Sequence, residues 1–148
     1  MIATATISSV ATLLALVAIG VDLHEIVLIP PLAASMALIV GAPSLPLAQP
    51  RNVIGGQLVS ASVGLLVAAA AGSTLWLAAV AGGLALGAML LLRVSHSPAA
   101  ATAVIAVLTA PAPLLFLSLL ALATIVLICF GVLTARVTGN RNYPVYWW

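Results

Sequence analysis

The chain has 148 residues, of which 65 % are hydrophobic and only 4 % charged. An ordinary soluble domain is about a quarter charged, so Asp22, Glu25, Arg51, Arg93, Arg136 and Arg141 are too few to clothe a water-facing surface. This excludes a soluble enzyme, a nucleic-acid binder and a disordered segment, and four arginines without a lysine fit the sparse cytoplasmic charges of an integral membrane protein.

In chain order, apolar segments long enough to cross a bilayer cover residues 3–21, 53–71, 75–92 and 114–135. The first has no basic region before it, so it is expected to be a retained helix rather than a signal peptide. Two shorter apolar stretches, 32–40 and 99–108, lie between the long ones. Pro30 and Pro31 precede the first, and Pro43, Pro46 and Pro50 follow it; Pro98 precedes the second, and Pro111 and Pro113 follow it. Proline fits the first turn of a helix and breaks its interior, so these brackets predict two short helices. The expected fold is an all-α polytopic membrane protein with four long transmembrane helices and two proline-bracketed half-helices. Cys129, the single cysteine, lies in an apolar run and excludes a disulfide or a cysteine-ligated metal site.

Pro31-Leu32-Ala33-Ala34-Ser35 and Pro98-Ala99-Ala100-Ala101-Thr102 share a pattern at an offset of 67 residues. The pattern suggests a duplication within one membrane domain, repeat 1 covering about 3–72 and repeat 2 about 75–136, with a tail at 137–148; chance in an alanine-rich chain is the alternative. Re-entrant short helices would give four crossings and parallel repeats. Short helices that cross would give six crossings and an inverted repeat. Six crossings put all four arginines on one side and Asp22, His24 and Glu25 on the other, as the positive-inside rule prefers, with both termini cytoplasmic. Gly56, Ser60, Gly64, Ala68 and Gly72, and the Gly83–Gly87 step, are close-packing stripes that predict a homo-oligomer, a dimer or trimer.

Arginine at a helix N-terminus opposes the positive end of the helix dipole, so Arg51, followed by Asn52, calls for a negative partner: a carboxylate, a phosphate of the membrane lipid or an anionic substrate, unless it serves only as a cytoplasmic interface anchor. Two half-helix N-termini facing one another would supply backbone donors for an anion. That places a candidate site at Ala33, Ala34, Ser35, Ala100, Ala101 and Thr102, with Arg51 and His96 at its mouth. No metal-ligand spacing, catalytic triad or paired carboxylates lie within the apolar segments, so neither catalysis nor a cofactor is expected.

The run Pro46-Leu47-Ala48-Gln49-Pro50-Arg51-Asn52-Val53-Ile54-Gly55-Gly56 resembles the central motif of the HPP family of integral membrane proteins. Pro31–Ser35 is similar to its P-F-G-A-S element, with Leu32 and Ala33 in place of phenylalanine and glycine. His96–Thr102 is similar to its H-P-P-A-G-A-T element, with Ser97 in place of the first proline, and Tyr143-Pro144-Val145-Tyr146-Trp147 fits its closing pattern. The family is described with four membrane-spanning helices, and plant chloroplast and cyanobacterial members are associated with nitrite transport. The resemblance therefore implies a transporter of a small monovalent inorganic anion, foremost nitrite, in a bacterial or cyanobacterial inner membrane. A non-transporting anchoring or assembly module is the competing class.

Overall fold

The computed structural model describes residues 2–139 and 143–147; Arg141, expected beside the other arginines, lies outside them. Six α-helices follow one another: α1 (Ile2–Leu23), α2 (Pro30–Gly41), α3 (Pro50–Ala71), α4 (Leu75–Leu91), α5 (Ala99–Thr109) and α6 (Pro113–Val137). One 3-10 turn, Pro46–Ala48, precedes α3. Prolines open α2, α3 and α6 within the first two positions, where the missing N–H costs no helical bond. The Thr74 hydroxyl caps α4 by accepting from the Leu77 N–H at 3.2 Å.

Three helices, α1, α3 and α6, have the length and hydropathy of membrane spans, and α2, α4 and α5 are shorter apolar helices. The expected fourth long helix is thus the shorter α4, with 17 residues. It closes at Leu91 because Val94 N–H turns back to the Met89 carbonyl, with Arg93 in the left-handed region at φ 56°. The same closure ends α1: Glu25 N–H bonds the Gly20 carbonyl and His24 has φ 57°.

The N-terminal turns of α1 and the C-terminal turns of α2 and α6 line one groove, which Tyr143 also lines. The Tyr143 hydroxyl donates to the Ala48 carbonyl just before α3. The Asn52 amide donates to the Ser95 carbonyl between α4 and α5 at 3.0 Å. So the starts of α1, α3 and α5 and the finishes of α2, α4 and α6 share one end of the bundle, and successive helices alternate in direction. Arg51, Arg93 and Arg136 lie towards that end; Asp22 and Glu25, at the close of α1, lie at the other.

Helices α3 and α6 are central. The former packs on α4, α5 and α6, the latter on α1, α2 and α3. One apolar core joins α1, α2, α3 and α6 around Leu16, Leu32, Met36, Val53 and Leu127; a second joins α4 and α5 around Ala81, Ala85, Ala103 and Val107. Large apolar side chains face outward, among them Ile2, Leu66, Trp76, Leu91 and Leu114. Hydrophobic atoms on both the inside and the outside suit a lipid solvent.

Bare glycine surfaces set the closest approaches. A Cβ on Gly64 would run into the Ala103 carbonyl oxygen and the Ala106 Cβ of α5; one on Gly131 would strike Ile39 of α2. Gly83 and Gly87, by contrast, face open space, so the step expected to pack has no partner among the described residues. Gly64→Ala is expected to lower the melting temperature in detergent by several degrees, because α5 backbone must move. Gly87→Ala should leave it unchanged or slightly raised, since alanine favours a helix by up to about 1 kcal/mol. Tryptophan fluorescence melts of the two variants check this contrast.

Candidate functional site

The polar groups buried in the bundle converge on Gln57, two turns into α3. Its Nε2 donates to Ser35 Oγ of α2 at 3.0 Å, and its Oε1 accepts from the Thr102 hydroxyl of α5. Ser35, Gln57 and Thr102 are all fully buried. A lone amide at such a depth would cost several kcal/mol; here one amide spans both short helices. The sequence reading named Ser35 and Thr102 but missed Gln57. An amide in the middle of an apolar helix was the signal that could have found it.

His96 extends the cluster. It sits in the connector 92–98, outside the spanning helices, and is fully buried. Its Nδ1 is 2.7 Å from the Leu47 carbonyl and its Nε2 2.7 Å from Ser35 Oγ. A carbonyl only accepts, so Nδ1 carries the hydrogen and Nε2 is free to accept from Ser35. The Ser35 hydroxyl has a second acceptor, the Pro31 carbonyl at 2.8 Å. Burial lowers the His96 pKa from 6.5 to about 4, against a smaller upward effect of the Leu47 bond. The imidazole is therefore neutral across pH 5 to 8.

Two other polar side chains of the Pro46–Asn52 run serve the architecture. Gln49 is fully buried, donates to the Pro43 and Leu45 carbonyls at 2.8 and 2.9 Å, and accepts from Val145 N–H at 2.8 Å. Asn52, expected at the anion, is buried and holds Ser95. Arg51 lies half-buried in the first turn of α3.

The short helices do not offer facing N-termini. They run in opposite directions and meet through Ser35, in the second turn of α2, and Thr102, in the first turn of α5. Pro30 and Pro31 have no N–H, and Leu32 N–H is taken by the Ile29 carbonyl. At α5 the N–H groups of Ala99, Ala100 and Ala101 bond the carbonyls of His96, Ser97 and Pro98. Ala34 and Ala101 lie on the exposed surface, and Ala33 and Ala100 are half-buried. The available side-chain donors lie instead around Gln57: among the described residues its second amide hydrogen has no acceptor. One turn along α3, the fully buried Ser60 hydroxyl has no partner, a deficit of about 1–3 kcal/mol. Among the described residues no three His, Cys, Asp or Glu side chains gather into a metal site.

A bundle of apolar helices with an outward hydrophobic surface and polar side chains confined to its interior is an integral membrane protein of the polytopic helical class. Residues 1–144 match the family model described as HPP, transmembrane region. The chain belongs to the HPP family. Two transmembrane proteins of Dictyostelium discoideum are similar to it. One is 34 % identical over 139 residues, covering 88 % of this chain and 44 % of the relative. The other is 37 % identical over 142 residues, covering 87 % and 48 %. The chain thus spans just under half the length of these relatives. No solved structure matches.

The histidine gives the site a signature in stability. Between pH 6.5 and about 4 the unfolded chain binds a proton at His96 that the folded chain resists, so unfolding becomes easier as pH falls. The melting temperature is expected to be unaffected by His96 above pH 6.5 and to decline towards pH 4. His96→Asn should flatten that decline; melts of both proteins across pH 4–8 provide the check.

Proposed function

We propose that this chain carries a small monovalent inorganic anion, foremost nitrite, across the membrane, and that Gln57 is the centre of its path. The observation that carries this reading is the amide of Gln57 joined to both short helices inside an apolar bundle. Broken helices and buried polar groups are costly in lipid unless they serve a path or a cavity. The cluster holds neutral hydrogen-bond donors and no carboxylate, which suits an anion. It suits a single negative charge, because no cation stands within it to balance a second. Of the residues expected at the anion, Ser35 and Thr102 belong to this centre. His96 acts through Ser35, and Arg51 attracts the anion at the end of the bundle where α3 begins. Asn52 holds the connector before α5, and Ala33, Ala34, Ala100 and Ala101, half-buried or exposed, do not touch the anion.

An inverted repeat supports the reading. Ser35 and Thr102 are 67 residues apart and share Gln57. Gly64 and Gly131 keep the same offset, as do Ile39 and Ala106, the residues they meet. Each half has three helices of alternating direction, an odd number, so the second half is turned over relative to the first. On this reading the chain crosses six times, both termini are cytoplasmic, and Arg51, Arg93 and Arg136 obey the positive-inside rule. The outward Gly83–Gly87 step supports assembly as a dimer or trimer. The location proposed with this reading is a bacterial or cyanobacterial inner membrane.

Purified protein in proteoliposomes is expected to take up nitrite saturably, above empty vesicles and above chloride. Gln57→Leu, which leaves Ser35 and Thr102 without their shared partner, should lower uptake at least tenfold at equal incorporation. Equal uptake by vesicles with and without protein would reject transport of nitrite.

The crossing number has its own measurement. Single cysteines at 51, 93 and 23, in a Cys129→Ala background, are expected to label from the cytoplasmic side at 51 and 93 and from the outside at 23. Labelling of 51 and 93 from outside would reject the six-crossing orientation.

A further inference from the structure

Ser60 is the one described residue whose buried side-chain oxygen or nitrogen is left without a hydrogen-bond partner. It is fully buried, three residues after Gln57 and therefore on a neighbouring position of the same helix face. Its stripe faces α5 and the connector before it. One turn earlier, Gly56 lies against the His96 side chain and Met89; one turn later, Gly64 lies against Ala103 and Ala106. Every other buried hydroxyl of the cluster is spent. Ser35 serves Pro31 or His96, and Thr102 serves Gln57. Two donors therefore remain beside each other on α3, the second Gln57 amide hydrogen and the Ser60 hydroxyl.

We propose that Ser60 is a ligand-contacting residue of the anion path, and that Gln57 and Ser60 together hold a small monovalent oxyanion between α3 and α5. This rests on the transport reading above and adds to it the position of the bound anion and a second donor. Buried polar groups are almost always paired, and a serine in a helix readily bonds the carbonyl four residues back. Ser60 does neither, so its hydroxyl is poised for a group that is not part of the chain. Gly64 brings the α5 backbone directly against α3, while Thr102 bonds Gln57 across the same face. Binding there requires α3 and α5 to part by the width of a small anion. Two neutral donors without an acid on this face select against cations.

The test compares wild type with Ser60→Ala. Removing an unpaired hydroxyl should leave the melting temperature in detergent, without added anion, equal or higher. In proteoliposomes the KM for nitrite should rise about tenfold or more, the usual weight of a hydrogen bond to a charged group, while the maximal rate changes less. Nitrite should also raise the melting temperature of wild type in a concentration-dependent manner and raise that of Ser60→Ala less. A melting temperature clearly lowered by Ser60→Ala would mean that the hydroxyl is bonded within the protein, and would overturn the proposal. Wild-type uptake with the same KM in both proteins would overturn it too, and would leave anion transport standing. Absence of both uptake and a nitrite-dependent melting shift in wild type would remove the transport reading and this site with it.

Discussion

The interior of this protein depends on one amide. In lipid there is no water to satisfy a polar side chain, so each buried donor and acceptor must be matched from within. Gln57 meets that demand for two helices at once, its nitrogen serving Ser35 and its oxygen Thr102. The connector with His96 is drawn in through Ser35 and Leu47. Replace the amide by an apolar group, and Thr102 loses its acceptor while Ser35 keeps only Pro31 and His96. The short helices, at 12 and 11 residues, are too brief to be fixed by their own apolar faces. A shared polar partner is what sets their register against α3.

Around that centre the halves interlock. Helix α3 packs mainly on helices of the second half, and α6 mainly on helices of the first. Glycine makes this exchange of partners close: Gly64 admits the α5 backbone, and Gly131 admits Ile39 of α2. A fold built in this way cannot be divided into two independent lobes. The polar cluster lies within this set of contacts, where α3 meets α2 and α5.

Much of the architecture was readable because proline writes helix starts into the chain. Pro30, Pro50 and Pro113 open helices, and the expected ends of α2 and α5 were within two residues of those observed. The start of α3 was expected at Val53 but lies at Pro50, since proline, arginine and asparagine all tolerate a first turn. Ser35 and Thr102 were legible from the matching patterns Pro31–Ser35 and Pro98–Thr102. Gln57 was not, because attention to charge favoured Arg51, and a neutral amide adds nothing to a charge pattern. The facing N-termini failed for a backbone reason: prolines supply no donors, and the turn before α5 uses the remaining ones. Nor could any sequence rule tell that Ser60, among many small hydroxylated residues, would be the one left unbonded.

The segment 143–147 gives the bundle a lever. Tyr143 grips the Ala48 carbonyl, and Val145 N–H grips the Gln49 side chain, which itself ties down Pro43 and Leu45. Leu47, in the same short loop, holds His96. A shift of residues 143–145 would thus reach the α2–α3 loop first and then, through the imidazole, the serine that meets Gln57. Residues 143–145 are thereby geared to the centre of the bundle through Gln49, Leu47, His96 and Ser35.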